Sequence, residues 1–325
     1  MNEQRIIRPN GRYIILPRCF VDVEAPTSQL TMAGRYQLIK RNAYGTELDR
    51  TPWFDNILLD SGLNRWGTGG CISGAAIGTG TSTPLATQTQ LDTQTLFTTD
   101  AGIGGGQSVL GTSPYNNTYT VVYRTPLGGL NGNYSEVGVG WASNALLSRA
   151  LILDGSGNPT TIAVNSAQQL DIVYQFSVFP PLVDTSNSVT ISGVGYTVTG
   201  RAMNVNSAGG FFGWYPNAIV GPFDYLNVSS WDPIRNGTIG AITSGPSGSP
   251  ANAQSATLGS YSNNSLSQAG RLTCSLTEGN VSGGIGALSL RVGPASFQYG
   301  FSPVIPKDGT KTLSLDFSVN WARRP

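Results

Sequence analysis

The sequence predicts an all-β chain, built as antiparallel β-sandwich or jelly-roll-like domains with one short helix near 55–67 and long Gly/Ser-rich loops. Three observations predict it. Charged residues make up only 11% of the 325 residues, against about 25% in typical domains, and Lys occurs only at Lys40, Lys307 and Lys311. Their place is taken by Ser, Thr, Asn, Gln and 42 Gly, residues that favour turns and extended chain over helix. Finally, β-branched and aromatic runs recur at intervals of about ten residues with Gly/Pro punctuation between them, the spacing of sandwiches and barrels.

Taken in order, RYIILPRCFVDVE (12–24) is strand-like but interrupted by Pro17, which removes a ladder donor and predicts an edge strand or two short pieces. RYQLIKRN (35–42) and ELDRTPWFDN (47–56) flank Ala43-Tyr44-Gly45-Thr46 and predict a hairpin or arm. In DNILLDSGLNRWG (55–67) the apolar residues Ile57, Leu58, Leu59, Leu63 and Trp66 recur at helical intervals. Asp55 is placed to cap this helix and Gly67 to end it, while Gly62 keeps it short or irregular. CISGAAIGTGTSTPLATQTQL (71–91) predicts one short strand at Ala75–Ile77 and then a loop, and 98–114 a Gly-rich connection.

Strands follow at 117–125, 134–142, 146–153, 160–165 and 169–179. Asp154-Gly155-Ser156-Gly157-Asn158-Pro159 is a turn signal between two of them. Pro180-Pro181 marks a boundary. We divide the chain into 1–181, an assembly domain with an N-terminal arm; 182–300, a second β-rich domain, optionally an insertion; and 301–325, a terminal strand with the option of returning to the first domain. Strands are expected at 188–200, 237–242, 270–277 and 286–292, with a long loop at 244–267. In 310–324, Leu313, Leu315, Phe317, Val319 and Trp321 alternate on one face of a long strand.

Composition excludes several chemistries. The chain has no His, which removes the commonest general base and metal ligand and rules out Ser-His-Asp and Cys-His nucleophiles. The glycine runs Gly74-x-x-x-Gly78-x-Gly80 and Gly102-x-Gly104-Gly105-Gly106 lack the helix and Lys of a phosphate cradle, so they read as loop or close-packing glycine. Asp154–Asn158 supplies too few oxygens for calcium and reads as a hairpin turn. Asp55 with Asp60, or Glu136 with Asp171, are the pairs from which a glycoside hydrolase would have to be built; each acid also has a structural reading as a cap or Arg partner. Cys19, Cys71 and Cys274 are too sparse for a disulfide framework and suggest free thiols. No cofactor and no metal site is expected, and catalytic residues are not assigned.

The net charge is +1, with an excess of three positives in residues 1–50. That is too small for a nucleic-acid face. No apolar run is long enough for a membrane-spanning helix, and the start MNEQRIIRPN has no apolar core of a secretion signal. A low-charge surface suits contact with other protein over a large area, so a homo-oligomer is expected. The aromatic group Phe211, Phe212, Trp214, Tyr215, Tyr225 and Trp231 has two readings: core or intersubunit packing, and an interface or glycan platform.

One ordered set of motifs goes further: WFDNILLDSGLNRWG (53–67), IGTGTSTPLATQTQL (77–91), YSEVGVGW (134–141), LLSRALILDGSGNPTTIAV (146–164) and QQLDIVYQFSVFP (168–180). Their order resembles a recurring pattern in tail-associated and fibre-like structural proteins of tailed bacteriophages. It covers about residues 50–180, with IPKDGTKTLSLDFSVNW (305–321) as a further piece. The resemblance implies a non-enzymatic virion component in the baseplate, fibre or collar, acting by assembly with other virion proteins. Host-receptor or glycan-binding fibre domain and head decoration are the alternatives, with a host surface glycan as the further partner. Glu136 and Arg149, on adjacent predicted strands, are expected to form a partly buried cross-strand structural pair.

Overall fold

The structure is a computed structural model that describes residues 4–7, 13–16, 19–101, 105–109, 112–191, 193–206, 234–251, 255–292 and 295–325. The aromatic group at Phe211, Phe212, Trp214, Tyr215, Tyr225 and Trp231 lies outside the described residues.

The chain is all-β with one short helix. It begins with β1 (Gln4–Ile7), β2 (Tyr13–Leu16), β3 (Cys19–Glu24), β4 (Ser28–Asn42), β5 (Glu47–Arg50), β6 (Phe54–Asp55), β7 (Ile57–Leu58) and helix α1 (Asp60–Trp66). Next come β8 (Gly74–Gly78), β9 (Gln94–Thr98), β10 (Gly105–Val109), β11 (Asn117–Arg124), β12 (Gly132–Tyr134), β13 (Glu136–Ala142), β14 (Ala145–Leu151), β15 (Ile162–Val164) and β16 (Gln168–Phe179). The remainder is β17 (Thr185–Ile191), β18 (Val194–Ala202), β19 (Ile234–Arg235), β20 (Ser255–Leu258), β21 (Ser267–Cys274), β22 (Ile285–Val292), β23 (Ala295–Ile305) and β24 (Lys311–Arg323).

The largest sheet has the order β10-β11-β16-β4-β24-β21-β20, with β3 also on β24 and β5 and β6 on β4. The β4–β16 pairing runs antiparallel from Asn42↔Gln168 to Thr31↔Phe179, and Tyr36 and Tyr174, directly opposite, bring their ring centroids to 4.8 Å. β24 lies parallel to β3 and β4, an arrangement open to a strand that arrives from far along the chain without a hairpin. Its Leu313, Leu315, Phe317, Val319 and Trp321 are all buried, as their alternation predicts.

Segment 182–300 is shared between two sheets. β20 and β21 extend the large sheet beyond β24, whereas β17-β18-β23-β22-β19 form a sheet of five strands. A single hydrophobic cluster includes Tyr36 and Phe176 of the large sheet, Val137 and Val139 of β13, and Val198, Leu288 and Phe297 of that five-stranded sheet.

Several expected elements are corrected. The helix starts at Asp60, not 55: Asp55 is in β6, Ile57 and Leu58 are in β7, and Leu59 occupies the N-cap position without a side-chain cap. Gly62 does not act as a helix breaker; a Cβ there would stand 2.5 Å from the Leu147 Cα, so its bareness lets α1 lie on β14. The 188–200 strand is a hairpin, β17–β18, turning at Gly193 with φ +81°. Residues 237–242 form no strand, the connection 98–114 contains β10, and the loop 244–267 contains β20. β23 escapes the period-two pattern because its first five residues are all buried.

Candidate functional site

The second five-stranded sheet, β7-β14-β13-β8-β9, holds the most developed polar site. Its middle strands are poor in side-chain volume: β8 is Gly-Ala-Ala-Ile-Gly and is buried throughout, and β13 opens Glu-Val-Gly-Val-Gly, also buried. One face, with Ala75, Ile77, Val137 and Val139, joins the main core. The other carries Gly74, Ala76 and Gly78 on β8 opposite Gly140, Gly138 and Glu136 on β13. Such bare strands let chain approach closely, and segment 79–93 covers them. Leu91 packs with Leu59, Ala76 and Leu146 in a small separate cluster.

Glu136 and Arg149 lie under this cover. The register places Gly138 opposite Arg149, so Glu136 is diagonal to Arg149 on the same face. The Arg149 Nε donates to Glu136 Oε2 at 3.0 Å, and Nη2 stands 2.9 Å from the same oxygen. Both side chains are 0% exposed, a deeper burial than the partly buried pair expected from sequence.

Burying two charges costs several kcal/mol per ion, about what a close pair with its remaining sites satisfied can offset. Segment 79–93 supplies the missing partners. Gly80 N–H and Thr93 N–H each donate to Glu136 Oε1 at 2.8 Å, and Asp92 N–H donates to Oε2 at 3.0 Å. Arg149 donates to Gln88 Oε1 at 2.6 Å, to Asp92 Oδ2 at 2.7 Å and to the Ser82 carbonyl at 3.2 Å. Asp92 also accepts from the Ser82 backbone at 3.1 Å and from the Ser82 hydroxyl. Burial pushes the Asp92 carboxyl up, but the Ser82 hydroxyl and the Arg149 charge outweigh it and hold the group below its ordinary value.

Glycine makes this approach feasible. A Cβ on Gly80 would stand 2.4 Å from Glu136 Oε1, and one on Gly78 2.7 Å from it. The Gly78-x-Gly80 piece therefore does cradle an anion, and the anion is the protein's own carboxylate. The close-packing reading holds for it; residues 102–104 of the other glycine run lie outside the described residues, while Gly105 and Gly106 pair in β10.

Asp171 accepts from Arg124 at 2.6 and 2.9 Å and from Arg41 at 2.5 Å, on β16 inside the large sheet rather than beside Glu136. Asp60, at the start of α1, pairs with Arg323. Asp154 accepts the N–H groups of Ser156 and Asn158, at 2.8 and 2.9 Å, which makes it the anchor of a turn. Among the described residues no three His, Cys, Asp or Glu side chains converge as metal ligands. Cys71 and Cys274 are buried free thiols, both pushed up to about 12 by burial.

A second buried polar group, Gln298 on β23, was not singled out in the sequence. It is 0% exposed and ties loop 238–247 to the sheet: its Oε1 accepts Gly240 N–H at 2.8 Å, and its NH2 lies 3.1, 3.1 and 3.2 Å from the carbonyls of Gly240, Ala241 and Ser244. Gln88 and Asp92 were missed as well. Nothing periodic distinguishes them within a polar loop; only the glycine spacing at 78–80 signals that something approaches there.

Comparison of the chain with protein-family models, with curated proteins and with solved structures returns no match.

Proposed function

We propose that this chain is a non-enzymatic structural subunit of a bacteriophage virion, tail-associated in the baseplate, fibre or collar, which works by assembling with its own copies and with other virion proteins. The observation that carries the reading is the fate of the motifs that resemble tail-associated proteins. WFDNILLDSGLNRWG, IGTGTSTPLATQTQL, YSEVGVGW and LLSRALIL contribute β7, α1, β8, segment 79–93, β13 and β14, which are parts of one device. The buried ionisable groups of the last two motifs, Glu136 and Arg149, bond to one another, to main chain and to Asp92, the residue that follows the second motif. Charges turned inward in this way favour a scaffold over a reacting centre. The chain's low charge, 11%, further suits a subunit covered by neighbours, since little self-repulsion opposes association.

The experiment has two arms. Light scattering after gel filtration measures the mass of the purified chain, and mass spectrometry measures its presence in purified particles. Oligomers together with stoichiometric presence in particles support the reading. A monomer absent from particles overturns it.

A further inference from the structure

We infer that a groove on the outer face of the large sheet binds a carboxylated saccharide. The groove encloses about 530 Å³ and runs over β11, β16 and β4 to β6 and the terminal Arg324. That size falls within the usual range for small-molecule sites, about 300–1,000 Å³.

Its cations are unusual for this molecule. Arg41, Arg50, Arg124, Arg149, Arg201, Arg271 and Arg323 each face a carboxylate. Arg65, Arg235 and Lys307 donate instead to the oxygens of Gly70, Gly248 and Asn280. Arg35 donates only to a side-chain amide, that of Gln175, and Arg324 stands over Phe179. Among the described residues neither forms an ion pair, and both are exposed and line this groove. Each stands over a ring: the Arg35 Cζ lies 4.6 Å from the Trp53 centroid and the Arg324 Cζ lies 3.7 Å from that of Phe179. A ring contact of this kind restricts the side chain and leaves guanidinium N–H groups to meet a carboxylate. Arg35 is fixed further by donating its Nε to Gln175 Oε1 at 2.7 Å.

The other walls choose among anions. Buried Thr118 donates to Asn116 at 2.8 Å and meets the Ser177 hydroxyl, opposite it in register, at 2.6 Å, so the Ser177 oxygen keeps acceptor capacity toward the groove. Asp55, exposed and in no ion pair among the described residues, adds a pure acceptor. An acceptor carboxylate repels a ligand that is all anion, such as phosphate or a nucleic-acid backbone, and bonds one that brings hydroxyl donors. A sugar acid has both halves: a carboxylate for the arginines and hydroxyls for Asp55 and Ser177.

The test uses the full chain against immobilised saccharides: sialyllactose and a short oligogalacturonate, with lactose and maltotetraose as neutral counterparts. Expected is saturable retention of a carboxylated saccharide and not of the neutral ones, with Trp53 fluorescence changing on binding. Arg35→Gln and Arg324→Gln, with the wild-type melting temperature retained, should each weaken binding about tenfold or more, the usual effect of losing a charge-assisted hydrogen bond. The inference is overturned by no retention of either acid, by equal retention of the neutral sugars, by wild-type binding in both variants, or by displacement with equimolar inorganic phosphate. Those results leave the assembly reading standing, because that reading depends on particle content and oligomer mass.

Discussion

Two loops in this molecule are fastened to sheets by buried polar side chains, and they are fastened differently. Segment 79–93 is held by a charged pair, Glu136 and Arg149, reaching it from β13 and β14, with the segment's own Asp92 as one of the partners. Loop 238–247 is held by one neutral amide, Gln298, reaching it from β23. Both anchors are wholly buried, and both satisfy backbone groups that a loop lying on a sheet would otherwise lose from water. The neutral anchor needs only its own amide to be matched. The charged anchor must match two formal charges as well, so it is surrounded by more partners and tolerates fewer losses.

The largest effect should therefore follow from breaking the charged anchor. Glu136→Gln leaves Arg149 buried opposite a neutral amide and forces one backbone N–H to face an NH2 group. Losing one member of a buried pair costs about 3–5 kcal/mol, which chemical denaturation should register as a lower midpoint with an unchanged slope. A loss under about 1 kcal/mol, the range of exposed pairs, would mean that water reaches the site. Gly80→Ala should come next. Its Cβ would stand 2.4 Å from Oε1 and from the Asp92 Cβ, and displacing packed groups costs about 1–3 kcal/mol. Hydrogen exchange should rise at Asp92 and Thr93, whose amides bond to Glu136.

Gln298→Leu tests the neutral anchor. It removes the acceptor of the Gly240 N–H and the donor to the Ser244 carbonyl, while the Gly240 and Ala241 carbonyls keep Arg201 and the Ser244 N–H; a buried polar group left unsatisfied costs about 1–3 kcal/mol. Loop 238–247 should exchange faster while segment 79–93 keeps its protection. If both loops loosen together, the two anchors are parts of one cooperative unit, and the contrast drawn between them fails.

How much of this was legible follows from which forces were local. β24 was readable because one face is buried and the other partly exposed, so alternation survives in the sequence. β8, the start of β13 and the start of β23 are buried on both faces, and there no alternation exists to read. The helix was placed five residues early because Ile57 and Leu58 fit a helical period, yet β14 recruits them as a short strand. Glu136 and Arg149 could be paired because they sit on adjacent strands joined by a short turn. Gln298 is 54 to 58 residues from the loop groups it bonds, and Asp92 is 44 from Glu136. Those meetings are products of tertiary structure, and apart from the glycine spacing at 78–80 local pattern carries no trace of them.

The smallest expected effect separates the two anchors by pH. The Asp92 carboxyl is held below its ordinary value by the Ser82 bond and the Arg149 charge against the opposing push of burial. A lowered folded value means that the unfolded chain takes up the proton first. The stabilisation is then fully present above the ordinary carboxyl range, about 4 for an unfolded Asp, and is lost as pH falls through the folded value. Asp92 is 26% exposed, so solvent screens the effect and it should be modest. Gln298 does not titrate. Exchange measured between pH 6 and pH 3, corrected for the intrinsic rate, should thus show protection declining in segment 79–93 relative to loop 238–247. Asp92→Asn should flatten that difference, since an amide cannot titrate. An unchanged pH response in the variant would overturn the assignment of the acid sensitivity to Asp92.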